Sequence, residues 1–266
     1  MRVRSASSTQ SVERALAVLS CFSDQSPRLR GSELARRLGV SASTVSRLLA
    51  TLERLGYLER ESATGLYQLG LALITLGGVA LNQKEVRRQA IQEMHDAVTA
   101  LGLGVNLGIL DQDTLFYLAN VNGPRAPKLY TMVGKRNPRH CTAMGKVLLA
   151  HQPGADLDRF LQKRPLEAFT PHTITDPEAL RRELVQARTR GYATEREELA
   201  FGRGCVAAPI RGAGGQVVGA LSISGPLSEL DLEHRLQSLG RTVIEYADRV
   251  SHKLGYGTVV PSLALG

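Results

Sequence analysis

The chain has 266 residues, of which 43% are hydrophobic and 22% charged, and 33 Lys and Arg against 25 Asp and Glu give it a net charge of +8. This composition excludes a disordered tail protein, a fibrous repeat and a disulfide-stapled mini-protein, and the length predicts one large domain or two. A pI near 9.7 is typical of nucleic-acid binders, although basic charge alone is weak support.

Cysteine usage and hydropathy predict the compartment. Cys21, Cys141 and Cys205 stand far apart without the CxxC spacing of a zinc site, so we expect reduced thiols, no metal and no cofactor. The first ten residues lack the apolar core of a signal peptide, and the least polar stretch, residues 66–81, is too short to span a bilayer. We therefore expect a soluble cytoplasmic protein with no membrane partner.

The first part of the chain has the element order of a winged helix-turn-helix, which we assign to residues 1–70. Apolar spacing, capping residues and glycines predict three helices followed by two short strands around a turn. The helices lie over residues 11–22, from a cap at Ser32 to Gly39, and from a cap at Ser41 to Gly56; the strands lie over residues 57–60 and 66–69.

Ala35, Gly39 and Val45 form the steric skeleton of a helix-turn-helix. A small residue lets the two helices approach, the glycine supplies the left-handed turn, and the valine packs the second helix onto the first. The N-terminal part of that second helix would then meet base edges in the major groove. This arrangement predicts a partner of double-stranded DNA.

Hydroxyl and guanidinium side chains around this skeleton are the candidate DNA contacts, since both can bond bases or phosphates. Residues 1–70 carry ten Lys and Arg against six Asp and Glu. The competing interpretation, a helical hairpin used for packing with solvated arginines, is disfavoured by the coincidence of turn glycine, hydroxyl-rich helix and basic wing. The predicted contacts are Arg36, Arg37, Ser41, Ala42, Ser43, Thr44, Ser46, Arg47, Arg60 and Thr64, with Tyr67 a further candidate.

The rest of the chain predicts two linker helices over residues 71–102 and an α+β domain over residues 103–266 with largely antiparallel pairing. Residues 71–81 are apolar nearly all round, so we expect them to be buried, for example against another subunit. The predicted strands lie over residues 105–110, 114–121, 129–133, 205–210 and 216–224, and the helices over residues 141–151, 157–163, 177–190 and 228–254.

A resemblance to a known family runs through six segments of the chain, namely residues 10–15, 56–58, 138–150, 191–198, 204–210 and 220–226. Together these segments resemble the IclR-type transcriptional regulators. The resemblance implies a winged helix joined by a linker helix to a GAF-like effector domain. It also implies homodimers or homotetramers on palindromic operators, repressing or activating under control of a small metabolite, often a carboxylate or an aromatic compound.

One anion site is predicted in the second half. Pro138 precedes a helix N-terminus, which offers unpaired N–H groups, and Ser222 and Ser224 share one face of a strand beside Cys205. The alternative is a purely structural role, in which the cysteines are small buried hydrophobic residues and the serines only form hydrogen bonds to backbone groups. The family resemblance implies an effector pocket at Thr142, Ala143, Met144, Gly145, Glu195, Cys205, Ser222 and Ser224.

Two questions about this pocket stay open at the sequence level. Any of Glu195, Glu197 and Glu198 is able to face it. Asn137 and Arg139 stand where the family commonly has apolar residues, so Arg139 either adds a carboxylate clamp or faces solvent.

Two other functions compete with an effector-responsive regulator. An enzyme would use Cys205 or Cys141 as nucleophile, but no base with an orienting partner is evident; His140 adjoins Cys141, yet neighbouring residues at a helix start point in different directions. A redox sensor would need exposed thiols of low pKa.

Overall fold

The computed structural model describes residues 6–127, 132–163 and 165–257. The chain forms two compact units, Met1–Gln83 and Lys84–Gly266, which are described separately. The predicted strand over residues 129–133 falls largely outside the described residues.

The first unit contains four helices and a two-stranded hairpin among its described residues. Val18, Leu34, Val45, Leu49 and Leu58 form its buried core. The helices are α1 (Ala6–Leu19), α2 (Gly31–Leu38), α3 (Ala42–Arg54) and α4 (Leu71–Asn82), and the strands are β1 (Leu58–Arg60) and β2 (Tyr67–Leu69).

Local chemistry sets the ends of these elements. The predicted cap at Ser32 is wrong: the cap residue is Arg30, two residues earlier, and α2 begins at Gly31. The backbone N–H of Arg30 donates to the Glu33 carboxylate at 2.8 Å and so closes the first turn. The first helix also begins and ends earlier than predicted. At the base of the hairpin, a Cβ on Gly70 would lie 2.2 Å from the carbonyl oxygen of Gly56, so only glycine fits that crossing.

Helix α4 leaves its apolar side chains uncovered. It contains no charged residue and no buried one, and Leu71 and Ile74 are 69% and 72% exposed. The expectation of burial is therefore not met within the single chain.

The second unit is an antiparallel sheet of six strands in the order β5-β4-β3-β8-β7-β6, with helices on both sides. Its strands are β3 (Gly104–Asp111), β4 (Thr114–Val121), β5 (Arg136–Asn137), β6 (Ala193–Arg196), β7 (Arg203–Arg211) and β8 (Val217–Pro226). Its helices are α5 (Glu85–Leu101), α6 (Ala143–Ala150), α7 (Gly154–Lys163), α8 (Pro177–Arg190), α9 (Leu227–Leu230) and α10 (Leu232–Lys253).

The two faces of the sheet are covered by different helices. Helices α5 and α10 pack against β3, β7 and β8 on one side, and α6, backed by α8, packs against the sheet on the other. Ala207 and Ala220 share a core cluster with Met144 and Val147 of α6. Because alternate residues of a strand share a face, Ser222 and Ser224 lie on the same side of β8 as Ala220, toward α6.

Several predicted boundaries differ from the observed ones. The predicted helix over residues 228–254 is two helices, because Asp231 adopts a left-handed conformation with φ of 47° and breaks the hydrogen-bond ladder. The helix predicted from Cys141 begins at Ala143, where the Thr142 hydroxyl accepts from the backbone N–H of Gly145. Strands β5 and β6 were not predicted. Within the described ranges, no helix has the length and hydropathy required to cross a bilayer.

Candidate functional site

The turn between α2 and α3 is built as the sequence predicted. Gly39 follows α2 with φ of 63° and ψ of 32°, the left-handed geometry that a side chain would strain. Val45 is fully buried and fixes α3 in the core of the first unit. The beginning of α3 is thus held rigidly while its outer face stays exposed.

Hydroxyl groups cluster at the start of α3. Ser41 caps the helix by accepting from the backbone N–H of Thr44 at 3.3 Å, and its hydroxyl also lies 3.0 Å from that of Ser43 and 2.9 Å from that of Thr44. One turn further on, Ser46 and Arg47 are exposed, as are Ala42 and Ser43. The first turns of the helix therefore present small polar side chains and the Arg47 guanidinium outward, a set suited to base edges and phosphates.

The two arginines of α2 differ in their hydrogen bonds to the rest of the first unit. Arg36 is exposed and has no ion-pair partner among the described residues. Arg37 donates to the backbone oxygen of Cys21 at 3.0 Å and to the Ser26 hydroxyl at 3.3 Å, so it fastens α2 to the end of α1. Any phosphate contact from Arg37 must share its guanidinium with these bonds.

The hairpin carries the remaining predicted DNA contacts at its tip. The Arg60 guanidinium carbon lies 5.6 Å from the centre of the Tyr67 ring, which orients this exposed cation. The Thr64 hydroxyl donates to the Glu61 carboxylate and accepts from the backbone N–H of Leu66. Arg60 is thus the accessible positive charge of the wing, whereas Thr64 shapes its turn.

The second unit contains a cavity of about 280 Å³, which we call the central cavity. It brings together five of the eight predicted effector residues, Thr142, Glu195, Cys205, Ser222 and Ser224. Its remaining wall consists of Asn106, Tyr117, Met132, Lys135, Asn137, Leu199, Ala200, Arg203 and Gly204.

A buried polar ladder forms the floor of the central cavity. The Asn106 amide nitrogen donates to the Ser222 hydroxyl at 3.2 Å and to the Ser224 hydroxyl at 2.9 Å, and its amide oxygen accepts from Asn120 at 2.9 Å. All of Asn106, Ser222 and Ser224 are buried. Since buried polar groups are costly unless bonded, this ladder holds the serine hydroxyl oxygens in fixed positions on the sheet.

Glu195 is the acid that lines the cavity, which answers the question left open by the sequence. One carboxylate oxygen accepts from the backbone N–H groups of Glu198 and Leu199, and the other accepts from the Cys205 thiol at 3.4 Å. Burial raises the pKa of Glu195 above its ordinary value. The group both shapes the loop that follows β6 and offers an acceptor to a bound molecule.

Three predicted effector residues are not among those that line the central cavity: Ala143, Met144 and Gly145. Met144 is in the core, and a Cβ on Gly145 would lie 2.3 Å from the carbonyl oxygen of Arg139. Gly145 is therefore required by the close approach of α6 to the preceding loop.

Glu198 turns away from the cavity to pair with Lys146. Both side chains are buried, and the Lys146 ammonium also donates to the backbone oxygen of Thr194 at 3.0 Å. Burial raises the pKa of Glu198, and Lys146 opposes that rise. The pair ties α6 to the loop after β6, directly behind Glu195.

Cys141 and Cys205 lack the low pKa that a nucleophile or a redox sensor needs. Burial raises the pKa of Cys141 to about 12, and burial together with the Glu195 charge raises that of Cys205 well above its usual value. The thiolate is the reactive form, and these raised pKa values disfavour it in both cysteines. A ring nitrogen of His140 lies 2.9 Å from the backbone oxygen of Glu167, and in the part of the chain that the structure describes His140 has no hydrogen bond to a thiol.

Sequence reasoning singled out Asn137 but missed four other residues of the cavity wall, Asn106, Tyr117, Lys135 and Arg203. Asn106 stands between Val105 and Leu107 in a buried strand, and a polar residue in that setting is itself a signal. Tyr117 and Arg203 gave no such signal, because only the folded sheet brings β4 and the start of β7 to the same wall.

Comparisons with known proteins decide the family. The model of the IclR helix-turn-helix domain matches residues 11–62, and that of the bacterial transcriptional regulator IclR C-terminal domain matches residues 78–252. The chain belongs to the IclR family of transcriptional regulators. The fold prediction, an α+β chain with a winged helix-turn-helix and an antiparallel effector domain, is confirmed.

Individual relatives of this IclR-family chain agree with the family assignment. The regulator XynR of Escherichia coli K12 is 34% identical over 93% of this chain and 98% of its own length. The Thermotoga maritima IclR crystal structure has 30% identity and a TM-score of 0.79, covering 93% of this chain and all of that one. An IclR homolog from Microbacterium hydrocarbonoxydans, solved with 4-hydroxybenzoate, has 28% identity and a TM-score of 0.81, covering 92% and 98%. The curated relatives are regulators, which sets the enzyme hypothesis aside.

Proposed function

We propose that this regulator binds a palindromic operator as a homodimer or homotetramer, and that a small carboxylate in the central cavity sets its operator affinity. The observation that carries the proposal is the polar ladder of Asn106, Ser222 and Ser224, which lines a cavity beneath an acid-anchored loop. Buried polar groups that converge on a cavity are the usual mark of a small-molecule site.

The charges of the cavity favour a particular ligand chemistry. The wall contains two basic side chains, Arg203 and Lys135, and the Glu195 carboxyl group as an acceptor. Met132 and Leu199 add apolar surface. A carboxylate with hydroxyl groups or an aromatic ring would use all three, with its carboxylate near the cations and a hydroxyl toward Glu195. The structural relative that binds 4-hydroxybenzoate supports this class.

The DNA-reading surface is proposed to be the exposed side of α3, flanked by Arg36 and the wing. Arg47 is our candidate for base recognition, because an exposed arginine one turn into a reading helix is positioned to bond a guanine. Ser41, Ala42, Ser43, Thr44 and Ser46 would line the groove beside it, and Arg37, Arg60 and Thr64 would lie toward the DNA backbone.

The uncovered apolar helix supports self-association. Leu71, Ile74 and Val79 of α4 are exposed, as are Val12 and Leu16 of α1. Exposed apolar surface of this extent marks an interaction site. Two copies joined there would present two reading helices, as a palindromic operator requires.

A base-preference assay tests the DNA assignment. Arg47→Ala should weaken operator binding and relax the preference at one base position, by about 1–3 kcal/mol if the arginine reads guanine. Gel shifts on a set of operators with single base changes measure both effects. Thr51→Ala, on the same helix two turns from its start, is the matched control, and an unchanged base preference for Arg47→Ala would remove that residue from recognition.

A ligand assay tests the effector assignment. Thermal-shift measurements with 4-hydroxybenzoate and a panel of hydroxy acids should identify a ligand that stabilises the chain. The double variant Ser222→Ala and Ser224→Ala should lose that stabilisation while retaining operator affinity. A normal ligand response in the double variant would exclude the serines from the effector site.

A further inference from the structure

A second pair of cavities lies on the α7 side of the effector domain, around the side chain of Arg139. The larger has about 360 Å³, within the range of small-molecule sites, and the smaller about 230 Å³. Arg139, Asp113 and Phe160 line both of them, so the guanidinium stands at the boundary between the two spaces.

The Arg139 side chain is only 2% exposed and is incompletely bonded. Its Nη1 donates to the Gln152 side chain at 3.2 Å, its Nη2 donates to the Asp113 carboxylate at 3.0 Å, and its Nε has no hydrogen-bond partner. Burial lowers the pKa of Arg139, and the negative charge of Asp113 partly opposes this decrease. A buried guanidinium with an unpaired N–H group is costly, and few exceptions of this kind occur in proteins.

The present partner of this cation is a weak one. The Asp113 side chain is 69% exposed, and ion pairs that reach into solvent contribute little. Asp113 belongs to the tight β3–β4 turn, next to Gln112, whose φ is 51°. Its carboxylate bonds Nη2 with one oxygen and leaves Nε unpaired, although Nε–H and Nη2–H form the parallel fork that a carboxylate prefers.

The larger cavity has an apolar wall beside the Nε–H and Nη2–H donors of Arg139. The Arg139 guanidinium carbon lies 4.2 Å from the centre of the Phe160 ring, and Pro138, Pro165 and Leu166 complete the apolar wall. The adjacent Arg136 adds a second cation, although it is paired with Asp111 at 2.6 Å. A flat, apolar anion would match this combination of guanidinium fork and ring surface.

We propose that Arg139 is the anchor of a second ligand site, which takes an aromatic carboxylate, and that Asp113 is the internal group this ligand displaces. The ligand carboxylate bonds Nε and Nη2 together, and its ring lies along Phe160. The site is separate from the central cavity, whose lining includes neither Arg139 nor Phe160. The two share one residue, Asn137, whose amide donates to the Tyr117 hydroxyl at 3.2 Å.

Calorimetric titration of the full chain with benzoate tests the proposal. The background is the Ser222→Ala and Ser224→Ala double variant, in which the central cavity is impaired, and benzamide is the uncharged analogue. We expect one benzoate per chain in that background, with benzamide at least about tenfold weaker because it cannot accept at both donors of the fork.

Three further substitutions in the same background distinguish binding at this site from a general effect of charge. Asp113→Asn should tighten benzoate binding several-fold, because it weakens the internal competitor, whereas Asp158→Asn removes the same charge from an exposed pair with Arg181 and should change nothing. Arg139→Met should abolish binding. Circular dichroism shows whether the Arg139→Met variant folds. If it does not fold, the Asp113→Asn result and the comparison of benzoate with benzamide test the proposal instead. Absence of benzoate binding, or equal affinity in the Asp113→Asn and Asp158→Asn variants, would overturn the proposal.

Discussion

Lys146 is a fully buried cation, and its side chain is the largest fully buried one among the residues that the structure describes. Its bonds to Glu198 and to the Thr194 backbone oxygen join α6 to the loop that carries Glu195. Removal of one member of a buried pair leaves an uncompensated charge, so Lys146→Met should lower the free energy of unfolding by about 3–5 kcal/mol. Urea denaturation measures the loss.

Two controls accompany this prediction. Arg196→Met breaks an exposed pair with Glu233 and should cost at most about 1 kcal/mol. The double variant Lys146→Met with Glu198→Leu should recover part of the stability, because no buried charge remains. A Lys146→Met loss as small as that of Arg196→Met would show that the buried pair does not hold the loop.

Glu195 should give stability a dependence on pH. Burial raises its pKa in the folded state, so the protonated form is favoured by folding, and its contribution is full below the unfolded pKa of about 4.5 and is lost as the pH rises through the folded pKa. The free energy of unfolding of the native chain, relative to Glu195→Gln, should therefore decrease as the pH rises from about 4.5. Urea midpoints of both proteins at several pH values measure this, and a relative stability that increases with pH would contradict it.

The sequence predicts the cavity position of side chains that alternate along one strand better than that of side chains from strands that pair only through long-range topology. Ser222, Ser224 and Cys205 were placed together because alternation and a neighbouring strand suffice for that inference. Arg203 and Tyr117 were missed, since the strand order that joins their walls is a long-range property. The sequence allows Arg139 either to bind a ligand carboxylate or to face solvent, whereas in the structure it is buried against Phe160 of α7 and lies outside the central cavity.

At the scale of elements, the helix-turn-helix depends on the left-handed Gly39. No atom lies within 4 Å of a Cβ built there, so the cost of a side chain is conformational and not steric. Gly39→Ala should destabilise the first unit by about 1–2 kcal/mol, and Gly39→Asn by less, because asparagine tolerates this conformation. Thermal unfolding of the two variants distinguishes them, and equal stabilities would exclude the conformational explanation.

Helix α4 should be the element that joins two copies. Its exposed apolar side chains include Ile74 on a helix without charge, so Ile74→Asp should reduce the association of the chain. Light scattering after size-exclusion chromatography measures the mass. Val185→Asp, which alters another exposed apolar side chain on α8, is the control, and an unchanged mass for Ile74→Asp would place the interface elsewhere.

Element boundaries were predictable where a residue type enforces them. The helix ends at Gly39 and Gly102 and the cap at Ser41 followed from capping chemistry, and each is observed. The short strand β6 was missed because Ala193–Arg196 has a mixed composition and pairs only with β7. The break at Asp231 was missed because the apolar spacing continues across it.

At the scale of the whole molecule, the proposed regulation is a population shift between states of different operator affinity. A ligand in the central cavity would act only through a difference in its affinity for those states, and a coupling of about 1–3 kcal/mol would change operator affinity roughly 5–150-fold. The basic charge of the chain contributes a separate, sequence-independent attraction that weakens with salt. Specific and non-specific binding must therefore be separated by salt and competitor.

The most direct test is a quantitative gel shift on the DNA upstream of the chain's own gene, at two salt concentrations, with and without the effector found by thermal shift. We predict specific binding that weakens at higher salt, exceeds that for scrambled DNA of equal length, and changes at least about fivefold with effector. The effector should have no influence on the Ser222→Ala and Ser224→Ala double variant. Equal affinity for upstream and scrambled DNA at both salt concentrations, in the presence and absence of effector, would contradict the account.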